Sequence, residues 1–338
     1  MSDHSLYGPL QDPAGDAGHE DHPPRVGFFT DTSVCIGCKA CEVACKEWNM
    51  LPEDGINLLG MSFDNTGMLG ADSWRHVAFI EQARPLAGQD SGLEGLPVGA
   101  SGSQESADIA ASAIEQQPRG GGELGTTSGD MGMPTFQRPG DATGAEARTD
   151  FRWLMSSDVC KHCTHAGCLD VCPTGALFRT EFGTVVVQQD ICNGCGYCVS
   201  GCPYGVIDRR EDDGRAWKCT LCYDRLRDGL EPACAKACPT DSIQFGPLDE
   251  LRERAARRVE QLHENGVSEA RLYGHDPNDG VGGDGAFFLL LDEPEVYGLP
   301  PDPVVPTRDA PAMWRFAGLA ASAFVAAAVS AFVERGRR

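Results

Sequence analysis

Cys192-Asn193-Gly194-Cys195-Gly196-Tyr197-Cys198-Val199-Ser200-Gly201-Cys202-Pro203 decides how this chain is read. Its pattern is C-x2-C-x2-C-x3-C-P, and three other groups of four cysteines repeat it with variations. Cys35, Cys38, Cys41 and Cys45 keep the spacing, with Lys46 where the proline would stand. Cys160, Cys163, Cys168 and Cys172 widen one gap to four residues; Cys219, Cys222, Cys234 and Cys238 widen it to eleven. Pro173 and Pro239 close those two groups as Pro203 closes the first. All 16 cysteines of the 338 residues fall into these groups, with none left over.

This spacing suits 4Fe–4S clusters. Three thiolates on one tight loop can hold three irons of a cubane, and the fourth cysteine, carried away on the following helical turn, ligates the other cluster of a pair. Gly37, Gly194 and Gly196 allow tight turns and close backbone approach. Loop amides then point at the sulfurs and help set the potential. A disulfide framework suits a small secreted domain rather than a chain of this length and spacing. Tetrahedral zinc explains C-x2-C pairs, but not a triplet plus a distant fourth ligand repeated through the chain. The expectation is four 4Fe–4S clusters holding all sixteen thiolates. With those positions filled, His162 and His165 read as packing or hydrogen-bonding residues around a cluster rather than iron ligands. Lys161 and Lys218 either offset thiolate charge or are surface lysines. Trp217 and Tyr197 are candidates to pack over clusters and exclude water.

Charge narrows the function further. Fifty Asp and Glu against 28 Lys and Arg leave a net charge of −22. A surface of that sign repels phosphate backbones, which argues against a nucleic-acid partner. No Ser-His-Asp, paired-carboxylate or nucleotide constellation stands out. Gly280, Gly282 and Gly283 lack the Lys-Ser/Thr of a phosphate loop and read as a turn. The chain is expected to carry no catalytic residues of its own.

The expected fold class is α+β: two pseudo-symmetric bacterial-ferredoxin-like modules carrying the four motifs, plus one C-terminal transmembrane helix. Residues 1–25 lack an apolar signal segment and read as a disordered acidic tail. Residues 26–84 hold the first motif, opening on a strand at Val26–Phe29, with a helix over Ala40–Trp48 and a strand near His76–Ala83. Residues 85–149 contain 13 glycines, one aromatic residue and no cysteine or lysine, so a flexible insertion is expected there. Residues 150–250 carry the other three motifs, with a hairpin over 176–188 and short strands at 206–208 and 243–245. Residues 251–312 form a C-terminal extension; leading into it, Leu248, Leu251, Ala255, Val259 and Leu262 recur at helical spacing, and Gly266 supplies a stop. A transmembrane helix over 313–333 includes 18 uncharged residues from Phe316 to Val333, followed by the basic tail 334–338. A buried alanine-rich helix is the soluble alternative. Gly318, Ser322, Ala326 and Ser330 would let another membrane helix approach closely. The arginine tail favours a cytoplasmic C-terminus, which puts the cluster domain on the outer face.

The chain resembles the iron–sulfur (beta) subunits of membrane-bound respiratory formate dehydrogenases, within the polyferredoxin family that serves molybdopterin oxidoreductases. The resemblance rests on Asp31 to Asn49, Lys161-His162-Cys163, Cys192 to Cys198 and Lys218 to Cys222, with Gly280 to Gly283 and Tyr297 to Pro303 beyond the cysteines. It leaves 85–149 unexplained. It implies that outer motifs pair with each other, as do inner ones. Cys35, Cys38, Cys41 and Cys238 would hold one cluster, and Cys219, Cys222, Cys234 and Cys45 its partner. Cys160, Cys163, Cys168 and Cys202 would hold a third, and Cys192, Cys195, Cys198 and Cys172 the fourth. The implied function is electron transfer from a molybdopterin-containing catalytic (alpha) subunit to a membrane cytochrome b (gamma) subunit and quinone. The alternative is the same role beside a dimethyl sulfoxide, polysulfide or tetrathionate reductase.

Overall fold

The computed structural model describes residues 10, 12–54, 63, 64, 66–82 and 152–336. The insertion expected over 85–149 lies outside the described residues. Four strands form the central sheet, in the order β8 (Ile243–Pro247), β1 (Val26–Asp31), β10 (Ala286–Leu290) and β9 (Arg271–Tyr273). β1 runs parallel to β10, with Phe28 opposite Ala286, and antiparallel to β8, with Phe28 opposite Phe245.

Because strand side chains alternate between faces, this sheet serves two cores. Phe29, Phe287 and Leu289 pack under the helix α6 (Leu248–Glu264), against Leu248, Leu251, Ala255 and Leu262. Phe28, Ala286, Phe288 and Leu290 face the other way, into the core that contains most of the buried cysteines. Asp249 and Glu250 sit in the first turn of α6, where the helix dipole favours negative charge. Gly266, with φ +85°, follows its end. The sequence pattern identifies α6, β1 and β8 but passes over β10. Its run Ala286-Phe287-Phe288-Leu289-Leu290 shows no alternation because both faces are buried, as a central strand with a parallel neighbour requires.

The cysteine loops lead into short helices: α1 (Ala40–Trp48), α2 (Gly167–Asp170), α3 (Tyr197–Ser200), α4 (Tyr223–Arg227) and α5 (Ala233–Lys236). α1 packs against α5 and α2 against α3, so the outer pair of motifs forms one module and the inner pair another. At the inner crossing there is no room for a side chain: a Cβ on Gly167 would lie 2.4 Å from the Gly201 carbonyl oxygen. The expected hairpin is present as β4 (Leu177–Arg179) and β5 (Val185–Val187), and a second forms from β6 (Asp208–Arg209) and β7 (Ala216–Trp217).

β2 (Arg75–Gln82) and β3 (Arg152–Val159) pair antiparallel, with Gln82 directly opposite Arg152. The chain therefore leaves and re-enters the domain at one rung of a ladder. Arg152 clamps that rung to the C-terminal extension through ion pairs to Asp292 and Glu269.

Two further expectations meet the structure differently. Residues 12–25, read as tail, follow a packed course: Ala14 is buried in a short helical turn at Gly15–Ala17, and His19 Nε2 lies 3.0 Å from the Arg179 carbonyl. Such a segment has no core of its own and is held on the surface of another. The C-terminal helix α7 spans Ala310–Gly336, and its Ala312–Ser330 window, of mean hydropathy 1.5, is long and apolar enough to cross a membrane. None of that window is buried. A soluble core helix would be covered, whereas Trp314, Phe316 and Phe324 are exposed here.

Candidate cluster-binding site

Each cysteine loop turns through a left-handed residue two positions after its first cysteine: Gly37 (φ 63°), His162 (47°), Gly194 (73°) and Leu221 (56°). The two that are not glycine are strained there, and both are buried, so surrounding packing holds them. The turn brings amides onto sulfur. Leu221 N–H donates to Cys219 Sγ at 3.3 Å, and from outside the loops Ala216 N–H of β7 donates to Cys192 Sγ at 3.4 Å.

The loops bring the cysteines together in four sets. In the first, Cys35, Cys38, Cys41 and Cys238 line one hollow. In the third, Cys160, Cys163, Cys168 and Cys202 line another. The second and fourth sets show in how their thiols repel. Cys45 is raised well above the usual thiol range by burial and then by Cys219, Cys234 and Cys222. Cys198 is pushed up to about 11 by burial and then by Cys192, Cys172 and Cys195.

Electrostatic influence between neighbouring sets orders them in a row. Cys41 of the first feels Cys234 of the second, Cys219 of the second feels Cys160 of the third, and Cys168 of the third feels Cys198 of the fourth. The two ends of the row, at Cys38 and Cys195, are exposed, whereas all four cysteines of the second set are buried or packed against the core.

The donor set fits iron–sulfur clusters. All sixteen cysteines are free, which removes support for a disulfide framework. Four thiols rimming a hollow match a cubane, whose ligands surround a group of atoms rather than a point.

The residues around the sets refine the sequence reading. Neither lysine is on the surface. Lys161 is buried against Asp158 and the rings of Tyr204 and Phe288, and Lys218 Nζ lies 3.6 Å from Cys160 Sγ. His162 lines the third set's hollow, and its Nδ1 accepts from Val185 N–H at 3.1 Å. Burial, then Lys218, Arg25 and Arg179, keep that ring far below the ordinary histidine range, so it is neutral with its proton on Nε2. Tyr197 is 60% exposed. Trp217 stacks between Trp74 and the Arg210 guanidinium.

Some residues around the sets have a role that the sequence does not show. The Gly280–Gly283 turn closes over the second cysteine loop, with His165 N–H donating to Val281 O and Thr164 N–H to Gly283 O. A Cβ on Gly282 would fall 2.2 Å from His165 Cδ2, so only glycine fits this seal. Asp284, fully buried behind it, accepts from the Tyr204 hydroxyl at 2.7 Å. Arg75, buried between the first and second sets, is likewise invisible as a functional residue in the sequence.

The fold and its sulfur sets define a ferredoxin-like protein that carries 4Fe–4S clusters, and two matches to 4Fe-4S dicluster domain models, over residues 34–176 and 151–248, agree. The chain is 33% identical over 312 residues to the nitrate-inducible formate dehydrogenase iron-sulfur subunit of Escherichia coli (strain K12), covering 90% of this chain and 83% of that one. It is 34% identical over 290 residues to the formate dehydrogenase iron-sulfur subunit of Haemophilus influenzae, covering 84% and 72%. A more distant relative, one component of the Escherichia coli anaerobic dimethyl sulfoxide reductase, is 29% identical over 230 residues, or 68% and 77%. The chain belongs to the iron–sulfur subunits of formate dehydrogenases.

Proposed function

We propose that this chain carries electrons between a molybdopterin-containing formate-oxidising subunit and a membrane cytochrome b subunit that reduces quinone. Four 4Fe–4S clusters would be held by the four cysteine sets, and when bound they supply one-electron oxidation and reduction. The observation that carries the reading is the row of four sulfur sets with an exposed cysteine at each end. Electrons can enter at one such end and leave at the other, while the middle is insulated. The chain's own work is placement: loop amides and buried cations face the sulfurs, and the apolar walls around Phe28, Phe288 and Leu221 keep water away.

α7 would anchor the chain in the membrane as a single pass. Arg335 in its last turn favours a cytoplasmic C-terminus and a cluster domain on the outer face. Protease shaving of intact cells tests the orientation; a domain that stays protected while an outer-face control is cut rejects it.

The test of the whole reading uses the native detergent-solubilised complex under anaerobiosis. Iron on this chain should reach about 16 atoms, and formate should bleach the visible absorbance nearly as far as dithionite does. Bleaching by dithionite alone, with partners and pterin intact, would move the chain to the alternative beside a dimethyl sulfoxide, polysulfide or tetrathionate reductase. Absence of iron would reject both.

A further inference from the structure

We infer that Arg75 and Lys218 are counter-cations built into the two junctions between the first, second and third cysteine sets, and that their charge raises the reduction potential of the second set from both sides. The inference rests on the cluster assignment proposed above.

Arg75 opens β2 and is only 3% exposed. Its Nη2 donates to Cys234 Sγ of the second set at 3.2 Å, while Nη1 donates to Ser157 O at 3.1 Å and Ser157 Oγ at 3.3 Å. Ser157 Oγ in turn lies 3.2 Å from Cys41 Sγ of the first set. A continuous polar bridge, Cys41–Ser157–Arg75–Cys234, therefore joins ligands of two neighbouring sets. Lys218 forms the corresponding bridge one junction on. It precedes Cys219 of the second set, donates to the Cys219 and Val185 carbonyls at 3.0 and 2.5 Å, and reaches Cys160 Sγ of the third set at 3.6 Å.

Both cations lack a carboxylate within ion-pair distance among the described residues. Lys161, just as buried, has Asp158. A buried unpaired cation costs several kcal/mol, so a side chain of this kind survives only where an anion compensates it. The anions in a position to do so are the thiolate sulfurs and the negative cluster they would enclose. The Phe28 ring, 4.9 Å from the Arg75 guanidinium, excludes water from that pairing and lowers the local dielectric. A fixed positive charge in such a place favours the state with one more electron. Arg75 therefore serves the first and second sets and Lys218 the second and third, while Arg25 and Arg179 are further cations beside Cys163 of the third set that touch neither junction.

The experiment is a redox titration of the native complex followed by EPR, with iron per chain measured on the same samples. In Arg75→Met, the reduced-to-oxidised ratio of two of the four signals, at fixed ambient potential, should fall about tenfold, equivalent to about 59 mV for a one-electron couple. Lys218→Met should lower two signals as well, sharing only one with Arg75→Met. Arg75→Lys keeps the charge and should recover most of the loss. Ser157→Ala removes the hydrogen-bonded link but leaves both charges, and should shift the signals far less than Arg75→Met. Unshifted signals at full iron content would overturn the inference while leaving the cluster assignment standing. So would a Ser157→Ala shift as large as that of Arg75→Met, because the hydrogen bond rather than the charge would then be responsible. Should Arg75→Met fail to hold iron, Lys218→Met still decides, because it removes the second charge and should lower the signals of the second and third sets. Wild-type chain with far fewer than about 16 irons would reject the assignment itself.

Discussion

Gly167→Ala should damage half of the cysteine sets and spare the other half. The added Cβ would lie 2.4 Å from the Gly201 carbonyl oxygen, 3.2 Å from Pro306 Cδ and 3.4 Å from Val305 Cγ1. Relieving the first contact alone requires a movement of about 1 Å, and backbone cannot rotate aside as a flexible side chain can. The cost belongs near the top of the ~1–3 kcal/mol range for overpacking. The movement separates α2, which carries Cys168 and leads to Cys172, from α3, which carries Cys198 and leads to Cys202. Since Cys168 and Cys202 line the same hollow, the third set opens, and the exchange of Cys172 and Cys198 draws the fourth with it. Iron per chain should fall from about 16 toward about 8, with the surviving signals belonging to the first and second sets. Gly246→Ala is the control, because a Cβ there meets nothing within 4 Å. Full iron in Gly167→Ala, or loss from the first and second sets instead, would refute the two-module reasoning.

Burial works to raise Asp64, but hydrogen bonding and charge from His76, the Thr66 amide and Lys39 outweigh it and hold the carboxyl below its usual range. A carboxyl so depressed contributes stability that is complete above about pH 4 and is lost as pH falls through the folded value. The urea-midpoint difference between wild type and Asp64→Asn should therefore shrink as pH falls below about 4. Phe288→Ala, at a fully buried position on the cysteine-facing side of the sheet, should cost about 3–5 kcal/mol by equilibrium denaturation. Replacing residues 83–151 with Asn-Gly should leave iron content unchanged, because Gln82 and Arg152 already face each other as hairpin ends do. Removing 310–338 should release the chain from membranes on fractionation without lowering its iron, since no part of the Ala312–Ser330 window is buried.

What the sequence made legible followed from strict local chemistry. Cysteine spacing is fixed by the size of a cubane, so the loops and the short helices after them could be read directly. α6 announced itself by period, and Ala40–Trp48 by the motif that precedes it. β10 stayed hidden because a strand buried on both faces has no period; Gly280–Gly283 was legible as a turn and as part of the family resemblance, but not as the seal of another loop. Arg75 and Asp284 stayed hidden for a further reason. Nothing local distinguishes a surface arginine from one that the fold carries 159 positions along the chain to Cys234.

The charge pattern of the core ties fold and cofactor together. Buried thiols are held up by burial first and then by one another: Cys41 and Cys222 are both pushed to about 11, each with Cys234 adding to the rise. Ionising any one of them alone would be costly, and Arg75 and Lys218 are costly on their own for the opposite sign. The two costs cancel only when thiolates form together beside the cations, which is what cluster ligation brings about, with protons released as iron binds. Iron loading and the final packing of this core should consequently be one cooperative event. A chelator that strips iron should then lower protection of the β1, β10 and α1 amides to hydrogen exchange together rather than set by set, while α6, whose packing against Phe29, Phe287 and Leu289 lies on the far face of the sheet, should lose protection last.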